Sequence, residues 1–196
     1  MLSFFKDFPP LVRTFLLRFF VLFVLFESLI YFAKEKYEAL NQPLTKSVAL
    51  SSVLTLQKIH PTKIFDIKSV LKIDLIDGEP IKKLNQLIIC NKIHVLLIAD
   101  SCNGFELYML YIGFLLSIPI GNFRTKTLFI LLGTPFLYGI NVIRCIGLIE
   151  LQLALNKYFD FYHHYLFKAT IYSFIFGLWV LFVKRFETPK SAHGIQ

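Results

Sequence analysis

The sequence has little of what announces a metalloenzyme, a nucleotide enzyme or a repeat protein. Its three Cys and five His fall without metal-ligand spacing, so no metal centre is implied. No glycine-rich loop of the phosphate-binding kind occurs, and no cofactor is implied. There is no internal repeat and no low-complexity linker. Acidic residues are outnumbered, 13 against 21 Lys and Arg, for a formal charge of +8. That excess does not make a nucleic-acid face, because several Lys and Arg flank apolar runs, where they act as topology signals.

What is present is apolar. Of 196 residues 56% are hydrophobic, 22 are Phe and one is Trp. A soluble domain of this size cannot hide that much apolar surface, which points to an integral protein of the lipid bilayer. Crossing a hydrocarbon core of roughly 30 Å takes about 20 helical residues. Four segments have the length or character for it: Leu11 to Ala33, Phe105 to Ile120, Thr127 to Leu153, and Tyr165 to Val183. The first is too long, and too free of a small-residue cleavage pattern, for a secretory signal, and reads as a retained anchor. Lys6, Arg13 and Arg18, then Arg124 and Lys126, then Lys184 and Arg185 mark three cytoplasmic flanks. Residues 34–99 are then external, and their ten lysines do not oppose this, since long loops translocate largely regardless of charge.

The expected fold is mainly α: one domain over 1–196, a polytopic membrane bundle of about four helices with a small extracytoplasmic β-containing insertion at 34–99. Within the insertion, "NQPLTKSVALSSVLTLQKIHP" predicts a helix ended by Pro61, polar enough to lie along the membrane interface. "KSVLKIDLIDGEP" alternates into an Asp77-Gly78 turn, and "LNQLIICNKIHVLLIAD" predicts one or two further strands.

Three groups of residues could carry chemistry. Cys102, in "IADSCNGFELY", stands where a polar knot meets the second apolar run. A helix start there would offer free N–H groups and a partial positive charge that favour thiolate, and Asn103 with Glu106 has the spacing of a capping box. The plainer alternatives are a packed thiol or a disulfide with Cys90. Arg144 lies in the third span, roughly 26 Å along the helix from Thr127 and so near its external end. An Arg at such depth faces a polar partner or cavity. Asn141 shares its face, and Glu27 or Glu106 would serve in a structural salt bridge. Cys145 is one residue round from Arg144 and reads as packing. His163 and His164 fall at the external mouth of the last span, where a histidine can also be a simple polar anchor. The topology brings all three groups to one level on one side of the membrane. Together they supply a nucleophile, a proton carrier and a fixed cation, which is what acyl transfer from a peptide needs.

These residues give the chain a resemblance to the exosortase/archaeosortase family, membrane-embedded cysteine transpeptidases. "SCNG", with Cys102 and Gly104, resembles a Cys-x-Gly signature at a membrane helix start; "NVIR", Asn141 to Arg144, resembles Asn-x-x-Arg in the next helix; "HHYLF" resembles the family histidine at the start of the last. Order and spacing agree from about Ile98 to Arg185. The resemblance implies Cys102 as nucleophile, Arg144 as transition-state stabiliser and His163 or His164 as general acid/base, with Asn141, Asn103 and Gly104 in support. It also implies substrates that are secreted proteins ending in a short motif, one transmembrane helix and a basic tail, cleaved at the external face of a bacterial inner membrane. The chain looks like the short exosortase X or F branch. It departs from many relatives in carrying Phe167 and Lys168, not Gly, four residues after His163 and His164. Two other classes fit parts of the pattern: a non-enzymatic membrane scaffold, and a thioester-forming acyltransferase that moves lipid.

Overall fold

The structure is a computed structural model, and it describes residues 9–32, 34–76, 79–154, 165 and 167–186. The described residues form five long helices, one short helical turn and a three-stranded antiparallel sheet. In chain order these are α1 (Pro10–Phe32), α2 (Lys34–Ile59), β1 (Phe65–Ile76), β2 (Glu79–Cys90), β3 (Ile93–Ile98), α3 (Asp100–Asn103), α4 (Phe105–Ser117), α5 (Phe123–Ala154) and α6 (Phe167–Lys184). By length and composition α1 and α5 are apolar enough to cross a membrane; α4 and α6 are shorter apolar helices.

The helices α1, α4, α5 and α6 pack through aromatic rings. On α1 and α4, Phe15 meets Phe114 at 4.9 Å between centroids and Phe26 meets Phe105 at 6.4 Å, so the two helices run antiparallel. On α5 and α6, Phe129 meets Phe182 at 5.1 Å and Phe136 meets Phe174 at 5.8 Å, again antiparallel. Phe114 stacks on Trp179 at 3.7 Å and ties α4 to α6. Tyr108, Tyr111, Leu115, Leu137, Ile171, Ile175 and Phe182 form the buried core among them. Gly133 lets α4 approach α5 closely: a Cβ there would lie 2.1 Å from the Tyr111 hydroxyl, which donates to the Phe129 carbonyl at 2.8 Å. At the far end of α4, the Lys126 ammonium donates to the Leu116 carbonyl at 3.4 Å and to that of Ile118, closing carbonyls that the helix leaves unpaired. The cation read as a topology mark therefore also finishes a helix.

A second core lies between α2, the sheet and the last turns of α5. The buried residues of α2 recur at Asn41, Thr45, Val48, Ala49, Ser52, Val53 and Leu56, the three-and-four spacing of one helix face. Of these, Val48, Ala49, Val53 and Leu56 form one cluster with Phe65, Ile88, Val95, Leu96 and Ile98 of the sheet and Val142, Cys145, Leu148 and Ile149 of α5. The helix predicted to lie along an interface instead runs beside α5, begins earlier at Lys34, and is pinned there by Tyr138. That hydroxyl lies 2.8 Å from Ser47 Oγ and 2.9 Å from Ser51 Oγ. Further along, His60 Nε2 lies 2.6 Å from Glu150 Oε1.

The alternating stretch forms β1 and pairs with β2 over its full length, Ile76 opposite Glu79, while the expected turn residues Asp77 and Gly78 lie outside the described residues. The following stretch is two strands, not one. Asn91 and Lys92 separate them with φ of 48° and 70°, and two successive positive φ values are the twist-matched turn of a tight hairpin. The last strand delivers the chain to α3.

Candidate active site

Cys102 reaches its place through a turn, a break and a helix. The turn α3 carries it, with the Cys102 N–H bonded to the Ala99 carbonyl at 2.9 Å. Gly104 then reverses the backbone at φ 86°, a conformation that glycine adopts without penalty, and α4 starts at Phe105. The long helix expected to start at Cys102 thus starts three residues later, at Phe105. The Cys102 N–H, bonded to Ala99, is not one of the free N–H groups at the start of α4. The expected capping box is not formed either: Asn103 Oδ1 accepts from the Phe105 N–H at 2.8 Å, two residues on. The left-handed Gly104 puts Glu106 too early in α4 to reach back as a capping partner.

Asn103 faces inward. Its Nδ2 donates to Asn41 Oδ1 and to Thr45 Oγ1, each at 3.1 Å, and all three side chains are buried. This joint fixes α3 against α2. On the opposite side, Asn141 of α5 donates from Nδ2 to the Cys102 carbonyl at 2.9 Å, and its Oδ1 accepts from Arg144 Nη1 at 3.4 Å. One fully buried amide thus touches the backbone of the cysteine and the guanidinium together. Cys102 and Arg144 are 4% and 6% exposed.

Cys145 is packed, as expected, and lies beside the site: it is buried in the core that contains Cys102, and its Sγ lies 3.9 Å from the Cys102 carbonyl. Neighbouring positions on a helix differ by about 100°, which leaves both Arg144 and Cys145 within the wide sector that α5 turns to α2, α3 and the sheet. Cys90, Cys102 and Cys145 are all buried and none is in a disulfide. Arg144 makes no ion pair with a described acidic side chain. The two carboxylates proposed for it, Glu27 and Glu106, line an apolar groove of about 530 Å³ between α1 and α4.

His163 and His164 lie outside the described residues. The pairing of α5 with α6 nonetheless has a direction: Phe129 opposite Phe182 and Phe136 opposite Phe174 bring the first described turn of α6 level with Arg144. No group of three or more His, Cys, Asp or Glu able to hold a metal occurs among the described residues.

The neighbours that sequence reasoning passed over are Asn41, Thr45 and Tyr108. The first two carry a signal, since they continue the apolar stripe of α2 by one turn toward its start. Tyr108 carries none beyond its place one turn after Gly104. Comparison with protein-family models, with curated proteins and with solved structures returns no match.

Proposed function

We propose that this chain is a membrane-embedded cysteine transpeptidase or protease of the exosortase-like kind, acting on secreted proteins at the external face of a bacterial inner membrane. The observation that carries the reading is the Asn141 bridge. It links the Cys102 backbone to the Arg144 guanidinium, which has no described acidic partner. A structural salt bridge would have consumed the charge. An Arg held by a neutral amide keeps its charge for something that arrives.

In this reading α1, α4, α5 and α6 cross the membrane, with 34–99 and the Cys102 turn outside. The 32 residues of α5 extend for about 48 Å, well beyond a hydrocarbon core of roughly 30 Å, so its last turns rise into the external sheet layer. Arg144 then lies near the boundary and not at the bilayer centre, where a cation costs most.

Chemically, Cys102 Sγ attacks the scissile carbonyl carbon after passing its proton to His163 or His164. The carbonyl π pair moves onto oxygen, where Arg144 opposes the charge. Collapse breaks the C–N bond, the histidine returns the proton to the departing amine, and a thioester remains. An amine acceptor or water then releases the acyl group. Burial of the cluster excludes bulk water, which strengthens the Arg144 charge at the reacting oxygen.

The test is co-expression with a secreted protein ending in a motif, an apolar helix and a basic tail. Cys102→Ala is expected to abolish its processing; normal processing in that variant rules the nucleophile out. A product that keeps its whole polypeptide and gains lipid, still dependent on Cys102, identifies an acyltransferase instead.

A further inference from the structure

Tyr108 stands in α4 one turn after Gly104, its N–H bonded to the Gly104 carbonyl at 3.1 Å. Helical side chains lean toward the helix N-terminus, so the ring lies back over the glycine. A Cβ on Gly104 would fall 3.1 Å from the Tyr108 hydroxyl and 3.2 Å from Asn141 Nδ2. The hydroxyl and the amide that holds the Cys102 carbonyl therefore flank the same small space, which exists because residue 104 has no side chain.

The Tyr108 hydroxyl is buried, the residue being 7% exposed, and it has no hydrogen-bond partner among the described residues. Packing alone would be served better by Phe, because a buried hydroxyl without a partner has lost its water for nothing. A second donor nearby has the same property: Arg144 Nε is also buried without a partner, in the guanidinium that leans on the other end of the Asn141 amide. Two donors that neighbour one bridging side chain both lack an acceptor among the described residues. An acceptor brought by a ligand would satisfy both.

The geometry points to Tyr108 as a further catalytic residue, whose hydroxyl donates a hydrogen bond to the carbonyl oxygen of the acyl group at Cys102 as that oxygen becomes negative. This rests on Cys102 being the nucleophile. Tyr108 keeps its proton throughout and makes no covalent bond. Its part is electrostatic, beside Arg144, while sulfur adds to the carbonyl carbon and the leaving group departs with its bonding pair.

An activated ester separates this role from general support of the thiol. The full chain in detergent micelles is treated with p-nitrophenyl acetate, and acetylation of Cys102 is followed by mass spectrometry. A parallel sample is treated with iodoacetamide, which alkylates by displacement at a methylene and develops no oxyanion. Tyr108→Phe is expected to slow acetylation ten-fold or more, with the alkylation rate unchanged and the melting temperature equal or higher. Equal acetylation in wild type and variant overturns the inference. A matching fall in both reactions also overturns it, since the tyrosine would then serve the thiol and not the carbonyl. Should Tyr108→Phe not fold, fluorotyrosine at position 108 keeps the shape and strengthens the donor; acetylation is expected to rise, and no change overturns the role. The proposed function fails on a different result, continued substrate processing by Cys102→Ala.

Discussion

Asn141 on α5 and Cys102 on the α3 turn are joined by a single hydrogen bond, 2.9 Å from side-chain amide to backbone carbonyl, made in a fully buried position. Since the other end of the same amide accepts from Arg144, its removal disturbs both partners. Asn141→Ala is expected to cost about 1–3 kcal/mol by leaving a buried carbonyl with only the weak Cys145 thiol as donor, and to abolish processing. Asn141→Asp keeps the shape but turns the donor into an acceptor facing a carbonyl, and is expected to be as inactive. Thermal unfolding in detergent with a processing assay checks both; full activity in Asn141→Asp would show that the bond does not position the cysteine.

Gly104 is expected to tolerate no side chain. Gly104→Ala meets a backbone conformation unfavourable to L-residues by roughly 1–2 kcal/mol, and its methyl group presses on Tyr108 and Asn141. The variant should melt lower and alkylate Cys102 at a changed rate. A melting temperature equal to wild type would mean that the turn relaxes freely.

Two glycines of α5 make an internal comparison. At Gly133 a Cβ would meet Tyr111 at 2.1 Å, whereas at Gly139 it meets nothing within 4 Å. Gly133→Ala is expected to destabilise by about 1–3 kcal/mol through overpacking. Gly139→Ala is expected to stabilise by about 0.5–1 kcal/mol, the ordinary gain in a helix. Trimming Tyr111 to Leu should recover part of the Gly133→Ala loss. Equal melting temperatures for the two single variants would refute the close packing of α4 on α5.

The joint between α2 and α3 should matter more than the polar contact at the end of α2. Asn103→Ala removes two buried hydrogen bonds and one part-buried one and is expected to cost about 1–3 kcal/mol or more, with Thr45→Val nearer 1 kcal/mol. His60→Ala breaks a pair whose side chains are 31% and 37% exposed, and such pairs contribute about 0–1 kcal/mol. Chemical denaturation of the three variants ranks them; a larger loss for His60→Ala would reverse the assignment of what holds α2 in place.

Much of this arrangement was legible before the fold. Apolar length located α1, α4, α5 and α6 to within a few residues, the start of α5 differing most, at Phe123 instead of Thr127, and alternation located β1. The spacing Asn141 to Arg144 placed both on one face, where they do touch. Other features were hidden for identifiable reasons. Lys46, Gln57 and the Ser/Thr positions gave α2 the look of an interfacial helix, because composition cannot tell a polar residue facing water from one, such as Thr45, that faces Asn103. The capping box failed because Gly104 has two functions in sequence, to end one helix and to begin another, and only the backbone angle distinguishes them. Glu27 and Glu106 were plausible partners for Arg144 by charge alone, yet they line the α1–α4 groove instead. Tyr108 left no trace in the sequence, since an unpartnered hydroxyl is a property of what surrounds it.

The shared use of α5 bears on how the chain can be taken apart. Residues 34–99 look in sequence like a detachable insert, with a helix and a hairpin sheet of its own. Its hydrophobic interior, however, is completed by Val142, Cys145, Leu148 and Ile149, contributed from a helix that begins at Phe123. Excised, the insert would carry an open apolar face where those four side chains belong. Deleted, it would strip the cover from the last turns of α5 and from Cys102. Neither half is a separable module, and a chimera that exchanges the insert must exchange the end of α5 with it.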